Sequence, residues 1–304
     1  MSEGPSKFLP EHIEESLGYE VPEQKPASMI CLFNFEASNI AADTVSSYVF
    51  SNSSVQVHTI VDRVVPAWVD HDSDVIIMSY SGNSPEIDAI YEKAKERDAR
   101  IHCITSGGRL EELCRAHGDN LMLVPKGLNN FDATGYEIGI LVNLYESMGI
   151  VGIKQSMSEI VPKIKTYRDD VWNSKQAWKL SVQISSRIPV IYCVGELRAV
   201  HKRWKMLMNE VIGKLAFSGE LPEFDHNEIV SWTEDSNNSE FIILMLKVKT
   251  DSELLNKIQD TVTELLPEYK LIIKVIDLEG ILMERAIKGI ILADSVIGCM
   301  HGGE

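Results

Sequence analysis

Short, almost continuous apolar runs recur between helical patterns along this chain, and that alternation leaves few architectures open. Met29–Phe33, Val55–Ile60, Val75–Met78, Ile101–Ile104 and Leu121–Val124 are strand-sized. Helical spacing fills Glu36–Val49, Glu86–Arg97, Leu110–His117 and Thr134–Met148. Strands that are apolar along their whole length are buried on both faces, as parallel strands covered by helices are. The reading is an α/β, doubly wound parallel sheet with ligands at the carboxyl ends of its strands. Residues 153–187 carry no strand pattern; Ile160, Ile164, Val171, Trp172, Trp178 and Ile184 predict two helices. The rhythm then restarts with strands at Ile188–Val194, Phe241–Leu246 and Leu271–Val275, and helices at Val200–Leu215, Asp251–Leu265 and Leu278–Gly298. The halves repeat a layout without repeating residues. Three segments result: a polar, proline-containing arm at 1–27 that covers and adds nothing to the core, a first subdomain at 28–152 and a second at 153–304.

Asp74–Glu86 reads D-V-I-I-M-S-Y-S-G-N-S-P-E. A buried strand, a loop of small hydroxyl and turn residues and a helix start follow one another. Free backbone N–H groups and the positive end of the helix dipole face such a loop, which makes it an anion site. Ser79, Ser81 and Ser84 add donors, Asn83 another, and Gly82 lets the backbone approach a ligand. An ordinary strand–turn–helix corner capped by Ser84 is the plainer alternative; the density of serines favours phosphate. In the second half Lys247-Val248-Lys249-Thr250 stands in this place, so the phosphate is expected in the first half alone.

A formal net charge of −16 without any Lys/Arg block argues against nucleic acid and anionic membranes as partners. No apolar run approaches the roughly 20 residues of a membrane span. The N-terminus lacks the apolar stretch of a signal peptide. The five cysteines are scattered and form no C-x-x-C pair. A reduced, cytoplasmic protein without structural zinc is expected.

Two stretches of the second half carry acid–base chemistry. In Arg203–Lys214, Glu210 lies among Trp204, Leu207, Val211 and Leu215, where partial desolvation is expected to raise its pKa toward that of a general base. The alternative is a surface glutamate paired with Lys214 four residues on, and helical spacing by itself favours it. In Glu220–Trp232, His226 stands between Asp225 and Asn227, with Glu223 and Glu228 near, in what reads as an acidic loop. Carboxylates orient or protonate a histidine, although most such histidines are simply solvated. No metal-binding histidine spacing occurs, and no metal or other cofactor is expected.

Together these residues carry a resemblance. S-Y-S-G-N-S-P-E is similar to the S-x-S-G-N-T-x-E phosphate loop of sugar isomerase (SIS) domains. N-E-V-I-G-K and P-E-F-D-H-N-E-I resemble the N-E-N-x-K and P-E-x-x-H-N-E pair of bifunctional phosphoglucose/phosphomannose isomerases, with the glutamate and histidine sixteen residues apart. T-S-G-G at 105–108, I-P-V-I-Y at 188–192 and K-R-W-K at 202–205 also fit. The resemblance implies two SIS-type, flavodoxin-like subdomains, each a three-layer sandwich. It implies cofactor-free interconversion of fructose 6-phosphate with glucose 6-phosphate or mannose 6-phosphate. Glu210 would shuttle a proton between C1 and C2 through an enediolate, and His226 would open the ring. Ser79, Ser81 and Ser84, with Ser38, Gly82 and Asn83, would bind the sugar phosphate. It further implies a homodimer with the site at or near the subunit interface.

The resemblance breaks at three places. The family's first loop, G-M-G-G-S-A-I-A-G-D, here reads N-F-E-A-S-N-I-A-A-D from Asn34 to Asp43, so Glu36 replaces a glycine. The family's P-R-A arginine, which stabilises the enediolate, is replaced by Asp132. A C-terminal lysine of the family has no match. Loss of one such donor typically costs about 10²–10³ in rate. Arg109, Lys126 and Arg203 are the candidate replacements. A phosphosugar-binding regulatory protein that has lost catalysis is therefore the alternative to an isomerase, and a purely structural dimer is a weaker third.

Overall fold

The computed structural model describes residues 7–234 and 238–301, without the side chains of Asp225 and His226. Its two compact units comprise residues 8–162, and residues 163–304 with the N-terminal seven.

The first unit runs α1 (Leu9–Leu17), β1 (Met29–Asn34), α2 (Ser38–Asn52), β2 (Gln56–Ile60), β3 (Asp74–Met78), α3 (Ile87–Glu96), β4 (Arg100–Thr105), α4 (Gly108–His117), β5 (Asn120–Leu123) and α5 (Thr134–Ser147). All strands are parallel, in the order β2-β1-β3-β4-β5. β1 and β3 are neighbours whose following helices pass to opposite faces, and the crevice at such a switch point is where ligands bind in open α/β sheets. On one face Cys31, Phe33, Phe35, Val75 and Ile77 pack with Ile87, Ile90 and Tyr91 of α3, Leu110 and Leu113 of α4, and Val65 and Val69 of the β2–β3 connection. The alternate residues of β1 point to the other face, where α2 packs on α5.

The N-terminal stretch departs from the expectation of a mere cover. Leu9 and Ile13 of α1 are wholly buried, and the helix lies along α5. Glycines make the approach possible: a methyl group at Gly139 would sit 2.0 Å from Ser16 Oγ, and one at Gly135 2.8 Å from the Leu9 carbonyl oxygen. Asn143 of α5 closes the contact by donating to the Ser16 carbonyl at 2.8 Å.

From α6 (Ile153–Asn173) the chain enters the second unit: α7 (Gln176–Ser185), β6 (Ile188–Val194), α8 (Arg198–Glu210), β7 (Phe217–Leu221), α9 (Glu223–Glu234), β8 (Phe241–Lys247), α10 (Glu253–Leu265), β9 (Ile272–Asp277) and α11 (Leu282–His301). The sheet order β7-β6-β8-β9 matches the first four strands of the other sheet, β2-β1-β3-β4, and every pairing is again parallel. The fold is thus two doubly wound α/β layers of one topology. β7 and α9 correct the reading of this region as an acidic loop. Phe224, Glu228 and Trp232 fall four residues apart on one face of α9 and converge on Tyr192 of β6. Phe224 packs on its ring at 4.0 Å, Trp232 Nε1 donates to its hydroxyl at 3.0 Å, and that hydroxyl donates to Glu228.

Arg203 of α8 and Asp294 of α11 form a buried bidentate ion pair at 2.8 and 3.0 Å. It ties the two helices and removes Arg203 from the candidate site cations. Four cysteines are buried and all five are free thiols. Among the described residues no helix is long and apolar enough to cross a membrane.

Filling the α1–α5 contact tests its role. Gly139→Val is expected to lower stability by about 1–3 kcal/mol, the range for overpacking a close contact, read as a fall in the thermal midpoint.

Candidate functional site

The switch-point crevice of the first unit is formed by two adjacent loops. Asn34 and Met78 are register partners, and the Phe35 N–H donates to the Met78 carbonyl at 3.0 Å, so loops 35–37 and 79–86 leave the sheet at one level. The 79–86 loop is held from behind by the loop after β4. Ser106 donates to the Tyr80 carbonyl through both N–H (2.9 Å) and Oγ (2.7 Å), and the Leu110 N–H donates to the Gly82 carbonyl at 2.9 Å. Gly82 (φ 67°) and Gly108 (φ 70°) are in the left-handed region. A methyl group at Gly82 would lie 1.9 Å from the Gly107 oxygen, and one at Gly108 2.4 Å from the Ser81 oxygen. Both backbones touch because neither carries a Cβ.

The predicted residues divide by this bracing. Asn83 holds the two loops together: its Oδ1 accepts from the Arg109 N–H at 3.1 Å and its Nδ2 donates to the Ser81 carbonyl at 3.0 Å. Ser79 is buried; its Oγ accepts from the Gly82 N–H and meets Ser84 Oγ at 3.4 Å. Ser81 and Ser84 are half-buried and border the loop's open side. Ser38 points to the α5 side, where its Oγ donates to the buried carboxylate of Glu137 at 2.6 Å. α3 begins without any side-chain cap, its N-cap being Glu86 and not Ser84. Among the described residues the backbone N–H groups of Ser81, Ser84 and Glu86 donate to no protein acceptor. A helix N-terminus with open donors and two hydroxyls suits a phosphate dianion.

The corresponding crevice of the second unit is filled from within. Arg285 Nη1 donates to Glu196 at 2.5 Å and to the Lys249 carbonyl at 2.9 Å. Burial raises the Glu196 pKa, against the pull of Arg285. Ser252 caps α10 by accepting from the Leu255 N–H. The Thr250 N–H donates to Asn256 Oδ1 and the Ser252 N–H to Thr250 Oγ1, so the loop before α10 is closed by its own side chains where the loop before α3 is not.

Glu210 is the last residue of α8 and is exposed, which corrects the expectation of a desolvated carboxylate. The helix ends there, five residues short of its predicted end, so the apolar residues beyond do not cover it. Lys214 donates to the Ser185 carbonyl at 3.0 Å and not to Glu210. His226 falls in the first turn of α9; its side chain lies outside the described residues. α8 runs antiparallel to β6, so Glu210 lies at the amino end of the second sheet, while α9 starts at its carboxyl end. The second unit of one copy therefore does not bring Glu210 and the start of α9 together. Of the candidate cations, Arg109 pairs with Asp88 and Glu112, and Lys126 with Glu111. Among the described residues no cluster of side chains fits a metal ion.

Two residues at the first crevice were not apparent from the pattern. Arg63, on the β2–β3 connection, donates to the Asn34 carbonyl at 2.6 Å and stacks over Phe35 at 4.1 Å. Asn34 is 3% exposed, and its Nδ2 has no partner among the described residues. Arg63 lies in no motif, Asn34 opens the first-loop stretch without standing out there, and their meeting depends on the β1–β2 pairing.

The description "Bacterial phospho-glucose isomerase C-terminal SIS domain" matches residues 173–296. A bifunctional phosphoglucose/phosphomannose isomerase from Caldicellulosiruptor bescii is 26% identical, over 84% of this chain and 79% of its own. The chain is similar to this isomerase family over most of its length. It is also similar to a D-glucosamine-6-phosphate 4-epimerase from Sulfolobus acidocaldarius, 26% identical over 94% of this chain and 89% of that protein. Among solved structures, the C-terminal domain of glucosamine-fructose-6-phosphate aminotransferase from Francisella tularensis superposes with a TM-score of 0.73 at 13% identity, covering 97% of this chain and 95% of that one. That likeness bears on the fold alone: two doubly wound α/β layers.

Two expectations follow. Gly82→Ala forces a left-handed alanine against the Gly107 carbonyl. The backbone term alone is about 1–2 kcal/mol, and calorimetry of the variant should show at least that loss. In the second unit Glu220 accepts from Arg198 at 2.7 and 2.8 Å and meets His201 at 3.3 Å. Burial opposes its ionisation, but those hydrogen bonds outweigh burial and lower its pKa from 4.5 to about 2. Because the folded value is the lower one, Glu220 stabilises the fold above about pH 4.5 and loses that contribution as pH falls toward 2. Denaturant titrations across this window should show a shallower pH slope for Glu220→Gln than for the unsubstituted protein.

Proposed function

We propose that this protein is a phosphosugar aldose–ketose isomerase. It interconverts fructose 6-phosphate with glucose 6-phosphate or mannose 6-phosphate without a cofactor. The observation that carries the reading is the 79–86 loop: Ser81 and Ser84 hydroxyls with open N–H groups at an uncapped helix N-terminus, in the crevice where doubly wound sheets take ligands. Similarity to the phosphoglucose/phosphomannose isomerases supports the same reading.

In this proposal the loop fixes the phosphate and so positions C1 and C2. Glu210 takes the proton from one carbon and returns it to the other through an enediolate, and His226 serves ring opening. The opposite placement of Glu210 and the start of α9 in the second unit supports a homodimer in which one copy supplies the base and another the histidine. Exposure of Glu210 in a single copy fits the same arrangement, since a partner or a substrate must complete its surroundings. The epimerase relative shows that the scaffold alone does not fix the reaction.

A second reading, a phosphosugar-binding protein without turnover, is favoured by Glu36 and Asp132. Asp132 does not act as a free charge: it accepts from the Asn129 side chain, while its own N–H donates to Asn129 Oδ1 at 2.8 Å. The one lysine of its loop, Lys126, is paired with Glu111.

A coupled assay with fructose 6-phosphate separates the two. Turnover is expected, and Glu210→Gln is expected to lower kcat by about 10²–10⁴, the usual contribution of a general base. Ser81→Ala is expected to raise KM. Saturable binding of fructose 6-phosphate with no turnover in the unsubstituted protein would establish the second reading instead.

A further inference from the structure

The crevice of the first unit is electrically two-sided. On the α3 side stand the open N–H groups at the start of α3 and the Arg63 guanidinium, held over Phe35 and against the Asn34 carbonyl. Phe35 belongs to the apolar cluster that includes Ile87 and Ile90 of α3, so this cation and the phosphate loop share one face of the sheet. Arg63 makes no ion pair among the described residues.

On the α5 side stands Glu36. Its carboxylate accepts from Asn130 Nδ2 at 2.8 Å, which draws it toward the loop that leads into α5. It too makes no ion pair among the described residues, and it is exposed. Its backbone is left-handed, with φ 51°. A non-glycine residue there is uncommon, and such outliers cluster at ligand sites. Asn34, the last residue of β1, alternates with Phe33 and Phe35 and so turns to the α5 side, and its buried Nδ2 has no partner among the described residues. A buried donor left open is costly unless a ligand oxygen satisfies it.

We propose that this crevice is built for a dipolar ligand, a hexose phosphate that carries a protonated amine. The phosphate lies at the 79–86 loop on the Arg63 side, a sugar oxygen accepts from Asn34 Nδ2, and the ammonium group faces Glu36. A carboxylate without a cation beside a phosphate site repels an ordinary sugar phosphate, and it attracts one whose far end is positive. The inference rests on the phosphosugar reading of the loop and adds amino-sugar phosphates, as preferred ligands, to the esters that the crevice binds.

Isothermal titration calorimetry of the whole protein tests it, with glucosamine 6-phosphate, glucose 6-phosphate and N-acetylglucosamine 6-phosphate as probes. The amine ester is expected to bind about five- to tenfold more tightly than the other two, the scale of a partly exposed charge pair. Glu36→Gln is expected to erase that preference while glucose 6-phosphate binding tightens, because a repelling charge is gone. Equal affinity for the three esters, or a preference that survives Glu36→Gln, overturns the amine assignment and leaves the phosphate loop standing. Failure of all three esters to bind overturns the loop reading, and this inference with it.

Discussion

Two glycine backbones in contact shape the region on which the functional reading depends. Gly82 and Gly108 let the turns after β3 and β4 touch without any intervening side chain. Serine hydroxyls and N–H groups are common at loop ends; what makes these usable is that the turn behind them cannot relax. The Tyr80 carbonyl is taken by Ser106, the Gly82 carbonyl by Leu110 and the Asn83 amide by the start of α4. With its acceptors satisfied at the back, the loop keeps its donors in front, as anion recognition requires.

The same topology occurs twice with opposite outcomes. In the second unit Arg285, Glu196 and the Ser252 cap satisfy the carboxyl-end crevice internally. Duplicated architecture therefore did not duplicate the site. One crevice is open to a ligand; the other holds the second unit together, with the Arg203–Asp294 pair elsewhere in that unit fixing α8 on α11.

The strand rhythm revealed the α/β class and most elements because strands buried on both faces are apolar along their length, and Ile188–Val194 was delimited to the residue. β7 escaped because Phe-Ser-Gly-Glu-Leu is a short edge strand without an apolar run, its Ser218 and Glu220 meeting His201 of α8. α9 escaped because the face it turns to β6 contains a glutamate: Glu228, itself exposed, meets Tyr192 by accepting from its hydroxyl. The place of α1 was hidden for a related reason, since Gly135 and Gly139 read as weak points in a helix until a second helix lies on them. At the site, the serine loop was visible as a motif. Arg63 and Asn34 were not, because their meeting is a tertiary fact. The desolvation expected of Glu210 failed at the helix end, where α8 stops before the residues that would have covered it.

The bare start of α3 has a consequence for handling the molecule. Ile87 N–H at the start of α3 donates to the Ser84 carbonyl, but the Ser84 and Glu86 N–H groups before it find no acceptor among the described residues, and under the proposed function an oxyanion supplies it. Any phosphate or sulfate in the buffer that occupies this place stabilises the folded state by mass action. Under the proposed anion reading, heat resistance is a property of the solution as much as of the chain, and melting points taken in different buffers describe different species.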